Sequence, residues 1–296
     1  MKVFLTGATG YIGSAVLDAL LKGGHAVTAL VRDREKAARV GARGVEPIVG
    51  SLSAPDGWRD AADGQDAIIH TALDYSGNGP ESDRLAVDTI LSVAPPLFIY
   101  TSGVWVLGAA SSAADESAPL THPAPFSAWR VEQERAVLSA NRAGHRTLIV
   151  RPGIVYGGAR GIVSDMLRDA TNGIVRVIGD GTNHWPLVYD RDLAELYARL
   201  LVAPEAAGVY HATDDADETV NEIVEAMRAA VPQPASLRHV PLPEARKKLG
   251  AFGDALALDQ IVRSTRSRAI GWAPALRSVS TNIPRLLEEL RRGDAQ

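Results

Sequence analysis

Short apolar runs alternate with stretches of helical periodicity through the first half of the chain, and that alternation sets the expected fold. Residues 2–6, 26–31, 46–49, 67–71, 97–101 and 147–151 are rich in Val, Ile, Leu, Phe and Thr and end on turn residues, which predicts strands. Between them, residues 12–22, 34–40, 81–92 and 127–142 repeat apolar side chains every three or four positions, the spacing of helices with one buried face. Strand and helix in alternation require right-handed crossovers, hence a parallel sheet covered on both faces. The expected class is α/β, a Rossmann-type doubly wound parallel sheet. After about Gly157 the strands shorten to 176–178, 186–189 and 209–212, with helices at 191–201 and 218–230 and prolines clustered from Pro232 to Pro243. This predicts a main domain over residues 1–157 and a smaller C-terminal α/β lobe over 158–296, parts of which return to the main sheet.

Composition narrows the function. No cysteine occurs among the 296 residues, which excludes disulfides, thiolate zinc sites and a cysteine nucleophile. A net charge of −4 with both signs interspersed gives no basic footprint for nucleic acid. The clusters Arg263 to Arg268 and Arg291-Arg292 read as solvated faces. Met1-Lys2 leads straight into a strand, without the apolar core of a secretory signal, and the apolar stretch 91–107 is broken by Pro95-Pro96 and Tyr100-Thr101-Ser102-Gly103. The expectation is a cytoplasmic protein with no membrane partner. The seven histidines lack metal-ligand spacing and no Gly-x-Ser-x-Gly elbow occurs, so neither a metal site nor a serine hydrolase is expected.

The opening segment, Val3-Phe4-Leu5-Thr6-Gly7-Ala8-Thr9-Gly10-Tyr11-Ile12-Gly13, carries the first specific chemistry. Gly7 permits a tight strand-to-helix turn, Gly10 lets backbone approach a pyrophosphate, and Gly13 lets the helix pack close to the strand. With Thr9, Tyr11 and Ile12 the turn offers backbone N–H groups and a positive helix end to phosphates. A glycine triplet alone is weak, but this one follows a strand and opens an amphipathic helix. The second strand ends Val31-Arg32-Asp33-Arg34. A carboxylate there favours NAD through the ribose hydroxyls, whereas a guanidinium bonds the extra phosphate of NADP. Val31 stands where the NAD-selecting acid is expected and Arg32 follows it, so NADP(H) is expected over NAD(H). Asp33 carries the rival reading.

Together these residues resemble the short-chain dehydrogenase/reductases, in the extended or atypical branch that includes nucleotide-sugar epimerases, dehydratases and dihydroflavonol-type reductases. The resemblance covers nearly the whole chain. Gly50-Ser51-Leu52 looks like the family's adenine-contacting Gly-Asp-Leu, and Asp66-Ala67-Ile68-Ile69-His70-Thr71-Ala72 like its strand-four segment lining the cofactor. Arg151-Pro152-Gly153-Ile154-Val155-Tyr156-Gly157 resembles the segment whose backbone contacts the nicotinamide carboxamide. Tyr189-Asp190-Arg191-Asp192-Leu193-Ala194 and Ala269-Ile270-Gly271-Trp272-x-Pro274 resemble later signatures. The resemblance implies cofactor contacts from Ser51, Leu52, Thr71, Ala72, Pro152, Gly153, Ile154 and Val155, and a homodimer through the helices after strands four and five.

The catalytic signature departs from that family. In Thr101-Ser102-Gly103-Val104-Trp105-Val106-Leu107-Gly108, Gly103 stands where the family places Ser or Thr. Matching Glu134 to the glutamate after the family's lysine assigns Phe126 to the tyrosine and Arg130 to the lysine. A phenyl ring donates no proton. Arg130 can still bond the nicotinamide ribose, but a guanidinium is no ready general base. Loss of a positioned general acid costs on the order of 10²- to 10⁴-fold, which leaves an assisted hydride transfer within reach. Ser102 and Thr101 offer hydroxyls to polarise a carbonyl, with capping as Ser102's plainer role. Tyr75 and Tyr156 offer phenols on loops, with packing as the alternative. His122, His70, His184 and Trp185 complete the candidates, the last two as substrate wall. Three functions follow: an NADPH-dependent reductase of a small carbonyl, imine or activated alkene with a non-standard proton donor; a sugar-nucleotide epimerase or dehydratase; and a non-catalytic NADP-sensing protein.

Overall fold

The computed structural model describes residues 1–74, 77–233 and 235–294. In chain order the elements are β1 (Lys2–Thr6), α1 (Tyr11–Lys22), β2 (Ala26–Val31), α2 (Arg34–Gly41), β3 (Glu46–Val49), α3 (Arg59–Ala62), β4 (Ala67–His70), α4 (Gly79–Val93), β5 (Leu97–Thr101), β6 (Ala110–Ala114), α5 (Arg130–Ser139), β7 (Arg146–Pro152), β8 (Ile154–Tyr156), α6 (Gly161–Thr171), β9 (Ile174–Ile178), β10 (Leu187–Tyr189), α7 (Asp190–Val202), β11 (Gly208–Ala212), α8 (Val220–Ala230), β12 (Ser236–Val240), α9 (Leu242–Leu249), α10 (Ala251–Leu256), β13 (Gln260–Val262), α11 (Thr265–Ala269) and α12 (Ile283–Asp294).

Seven strands form one sheet in the order β11-β7-β5-β4-β1-β2-β3, and β1 to β5 and β7 pair in parallel. Strands β4 and β5 are buried along their whole length, the signature of a parallel sheet with helices on both faces. The order reverses between β1 and β4. Such a switch point opens a crevice at the carboxyl ends of the strands, where ligands of open α/β sheets bind. The Rossmann-type expectation holds. α5 is shorter than the 127–142 periodicity predicted, because residues 125–129 form turns and Arg142 forms an antiparallel bridge with His145.

The chain divides into two compact units assembled from interleaved segments rather than at one boundary near 157. The first holds Met1–Ser102, Trp129–Arg151 and Leu193–Tyr210; the second holds Gly103–Ala128, Pro152–Asp192 and the chain from His211 on. Leu193–Tyr210 falls in the first unit because β11 is an edge strand of the main sheet. The second unit contains three parallel strand pairs, β8 with β10, β9 with β12 and β6 with β13. Its core gathers Met166, Trp185, Ile223, Met227 and Leu286. Thr219 and Glu222 start α8 with a reciprocal capping box. Among the described residues no helix is long and apolar enough to cross a membrane, and no group of three or more His, Cys, Asp or Glu side chains is placed to hold a metal.

Candidate active site

The turn after β1 is fixed by close backbone contacts. Gly7 has φ +79°, and a Cβ there would lie 2.7 Å from the Ala72 amide nitrogen; one on Gly13 would lie 2.0 Å from the Gly7 carbonyl oxygen. Both positions therefore exclude any side chain. Gly10 differs: it is exposed, and its Cβ would meet only the Gly7 carbonyl, at 3.1 Å. As N-cap of α1 it offers no side-chain cap, and the first turn of α1 carries no acidic residue. The positive helix end beside Gly10 thus keeps an open outer side, which fits a dinucleotide pyrophosphate. Thr9, Tyr11 and Ile12 are each partly buried in the same turn.

At the tip of β2 the two rival groups separate. Asp33 is the N-cap of α2, accepting the Lys36 amide at 2.8 Å and pairing with the Lys36 ammonium. These bonds hold its carboxyl below the usual carboxylate range. Arg32 is exposed and makes no hydrogen bond or ion pair among the described residues. Ser51 is exposed, its hydroxyl 2.8 Å from that of Ser53 and its carbonyl accepting Trp58 Nε1 at 2.9 Å; Leu52 is half-buried beside the Phe4 and Trp58 cluster.

Side chains at the carboxyl ends of β4 and β5 link those strands to β1, α7 and α5. Thr71 donates its hydroxyl to the Thr6 carbonyl at 2.7 Å, and the Ala72 amide donates to Thr6 Oγ1 at 3.3 Å. Thr101 Oγ1 lies 2.5 Å from the buried hydroxyl of Tyr197 on α7, so it is engaged. Ser102 is buried with no hydrogen-bond partner for Oγ. A buried hydroxyl without a partner is costly, and its position at the strand tip suits a ligand oxygen. Arg130 opens α5, packs its guanidinium 4.4 Å from the Trp129 ring centre, and donates from Nη1 to the Thr101 carbonyl at 2.7 Å and to Tyr100 Oη at 3.1 Å. Its Nε and Nη2 have no partner among the described residues, which leaves one donor edge for a ribose.

The second unit holds the other candidates. Tyr156, offered by the sequence as a loop phenol, lies instead in β8 and is fully buried. Its hydroxyl meets two acceptors, Asp214 Oδ2 at 3.2 Å and the Leu276 carbonyl at 3.0 Å. Burial raises its pKa far above the phenol range, so its proton is held in the core and the expectation of a donor is corrected to packing. Tyr75 lies outside the described residues. The amides of Gly153 and Ile154 donate to the Ala212 and Pro186 carbonyls, at 2.9 and 2.7 Å, while Pro152 is buried and Val155 half-buried. Those two N–H groups are committed within the unit. At Gly103 the backbone is extended, and a Cβ would find its nearest atom 3.9 Å away; nothing local demands glycine. Phe126 stands in an aromatic cluster with Trp105 and Phe252, ring centres 5.6 and 5.2 Å from its own. His122 is exposed, and His184 is held by Asp259 at 2.7 Å. Trp185 lines a small, largely apolar pocket with Ile162, Met166, Val177, Val220 and Leu256, to which Arg176 also contributes.

Against known proteins, the model of the NAD dependent epimerase/dehydratase family matches residues 3–213. The chain belongs to that family. Membership makes it an NAD(P)-dependent oxidoreductase of the extended short-chain type. It is 31% identical to an uncharacterized protein of Schizosaccharomyces pombe, across 96% of this chain and 98% of the relative. It is 28% identical to a 2-alkyl-3-oxoalkanoate reductase of Stenotrophomonas maltophilia, across 79% of this chain and 77% of that protein. Among solved structures, human epimerase family protein SDR39U1 with NADPH superposes with a TM-score of 0.80 at 20% identity, covering 97% of this chain and 99% of that one. That similarity concerns the fold.

Proposed function

We propose that the protein is an NADPH-dependent reductase of a small carbonyl, imine or activated alkene, a carbonyl bearing an apolar arm foremost. One observation carries the cofactor choice: Asp33 is committed to capping α2, and Arg32 beside it makes no hydrogen bond or ion pair among the described residues. An exposed guanidinium matches the extra phosphate of NADP, while the carboxylate that would bind free ribose hydroxyls is already bonded. The human neighbour is solved with NADPH, whereas the epimerase and dehydratase neighbours are solved with NAD, so the choice rests on Arg32.

When bound, the dinucleotide supplies the hydride. This chain's residues bind and orient around that chemistry. The turn at Gly7, Gly10 and Gly13 receives the pyrophosphate, and Ser51, Leu52, Thr71 and Ala72 flank the nucleotide. Arg130 presents Nε and Nη2 to the ribose, and Ser102 Oγ hydrogen-bonds the substrate oxygen. Ser102 places its hydroxyl without activating it as a base, so the proton that completes reduction comes from water. Carbonyl substrates are favoured by the reductase relative that acts on 2-alkyl-3-oxoalkanoates. The test is NADPH consumption by the purified protein against a panel of 3-oxo acids and esters of rising alkyl length. Turnover that improves with chain length supports the reading. Tight NADPH binding with no turnover across carbonyls, imines and activated alkenes would favour the sensing protein instead.

A further inference from the structure

We infer that Asp83, on α4, is the positioning residue for Arg130, acting through the phenol of Tyr100. This rests on the reading that Arg130 holds the dinucleotide. Tyr100 Oη lies 2.9 Å from Asp83 Oδ2 and receives Arg130 Nη1 at 3.1 Å. From the other side, His70 Nε2 lies 3.2 Å from Asp83 Oδ1, Thr6 Oγ1 lies 2.7 Å from His70 Nδ1, and the Ala72 amide reaches Thr6 Oγ1 at 3.3 Å. Thr6, His70, Asp83 and Tyr100 are each no more than 1% exposed.

With Asp83 as an acceptor and a neutral His70, the donors and acceptors run in a consistent direction. A carboxylate only accepts, so the single Tyr100 proton goes to Asp83 and the phenol oxygen is left to accept from Arg130. On the other arm, His70 as the Nε2–H tautomer donates to Asp83. Its bare Nδ1 then accepts the Thr6 hydroxyl, whose oxygen accepts the Ala72 amide. Both arms converge on Asp83. Burial raises the Tyr100 pKa well above the phenol range, which keeps it a hydrogen-bond conduit and not a base. The His70 and Tyr100 rings stack at 5.9 Å and 11°, which holds the two arms in register. A buried carboxylate is costly without a counter-charge, and Arg130 provides one across a single phenol. One acid thus fixes both the strand tip beside the glycine turn and the guanidinium that faces the ribose.

The test is a double-mutant cycle on dinucleotide affinity, read by NADPH titration and, separately, by urea unfolding. Tyr100→Phe keeps the ring and cuts the link; Asp83→Asn keeps the shape and removes the charge. Each is expected to weaken NADPH binding about tenfold, the loss of one hydrogen bond to a charged group. In an Arg130→Met background Tyr100→Phe is expected to weaken it no further, although it still lowers the unfolding midpoint. Tyr100→Phe that leaves affinity unchanged, or weakens it equally with and without Arg130, overturns the inference. If Arg130→Met itself leaves affinity unchanged, the reading of Arg130 fails, and the inference with it.

Discussion

The glycine turn after β1 and the strip around Gly103 and Phe126 answer substitution in opposite ways. At Gly7 and Gly13 an added methyl would drive into backbone at 2.7 and 2.0 Å, so the binding requirement is written into main-chain geometry. At Gly103 the nearest atom is 3.9 Å from a would-be Cβ, and Phe126 is held by ring contacts to Trp105 and Phe252 rather than by close backbone. Cofactor binding is therefore locked to the fold, whereas the proton-handling side chains can change without refolding the chain. A family member that keeps the first and varies the second is what such an arrangement permits.

Four experiments probe that contrast, from the largest expected effect downward. Gly13→Ala should cost about 2–4 kcal/mol of stability by overpacking and abolish NADPH binding, measured by urea unfolding and titration. A stable, binding-competent variant would break the contrast at its stronger end. Arg32→Ala should weaken NADPH about ten- to a hundredfold, the value of a charge-assisted bond to phosphate, and leave NADH affinity unchanged; equal losses for both cofactors would remove Arg32 from the selection. The pair Gly103→Ser and Phe126→Tyr should fold with stability within about 1 kcal/mol of the parent and raise the hydride-transfer rate about tenfold, a fraction of what a well-placed general acid contributes. No gain in single-turnover rate would mean that these positions do not face the reacting oxygen.

The smallest effect is one of slope, and it isolates the stability of the second unit from its chemistry. Burial pushes Asp190 up to about 6 and Asp214 up to about 7. Each folded pKa lies above the unfolded value near 4, so the folded state holds those protons more tightly. Their stabilisation is full below about pH 4 and is lost as pH rises through 6 and 7. Asp214→Asn should flatten the fall of unfolding free energy between pH 4.5 and pH 7.5, by less than about 1.4 kcal/mol per pH unit. An unchanged slope would show that the Asp214 proton is not retained on folding.

Much of this was legible in the sequence because it is local. The six principal strands and the glycine turn depend on period and on glycine, and both are written within a dozen residues. β6 was missed because Ala110-Ser111-Ser112-Ala113-Ala114 has no apolar alternation, and its partner β13 lies some 150 residues away. β12 was hidden among prolines. Tyr156 misled because a tyrosine beside Gly157 reads as a loop residue, while pairing with β10 makes it core. Asp83 was overlooked although a signal existed: with Ala86, Val87 and Ile90 it completes the i, i+3, i+4, i+7 stripe of α4's buried face. A charged residue on an apolar stripe asks for a partner, and here the partners come from β4 and β5.

The central claim is that the turn of Gly7, Gly10 and Gly13 holds NADPH, with Arg32 choosing the phosphorylated cofactor. Titrating NADPH and NADH separately into the unmodified protein tests it most directly. At least about tenfold tighter binding of NADPH is predicted from one guanidinium–phosphate contact. Equal affinities, tighter NADH, or no saturable binding of either would contradict it.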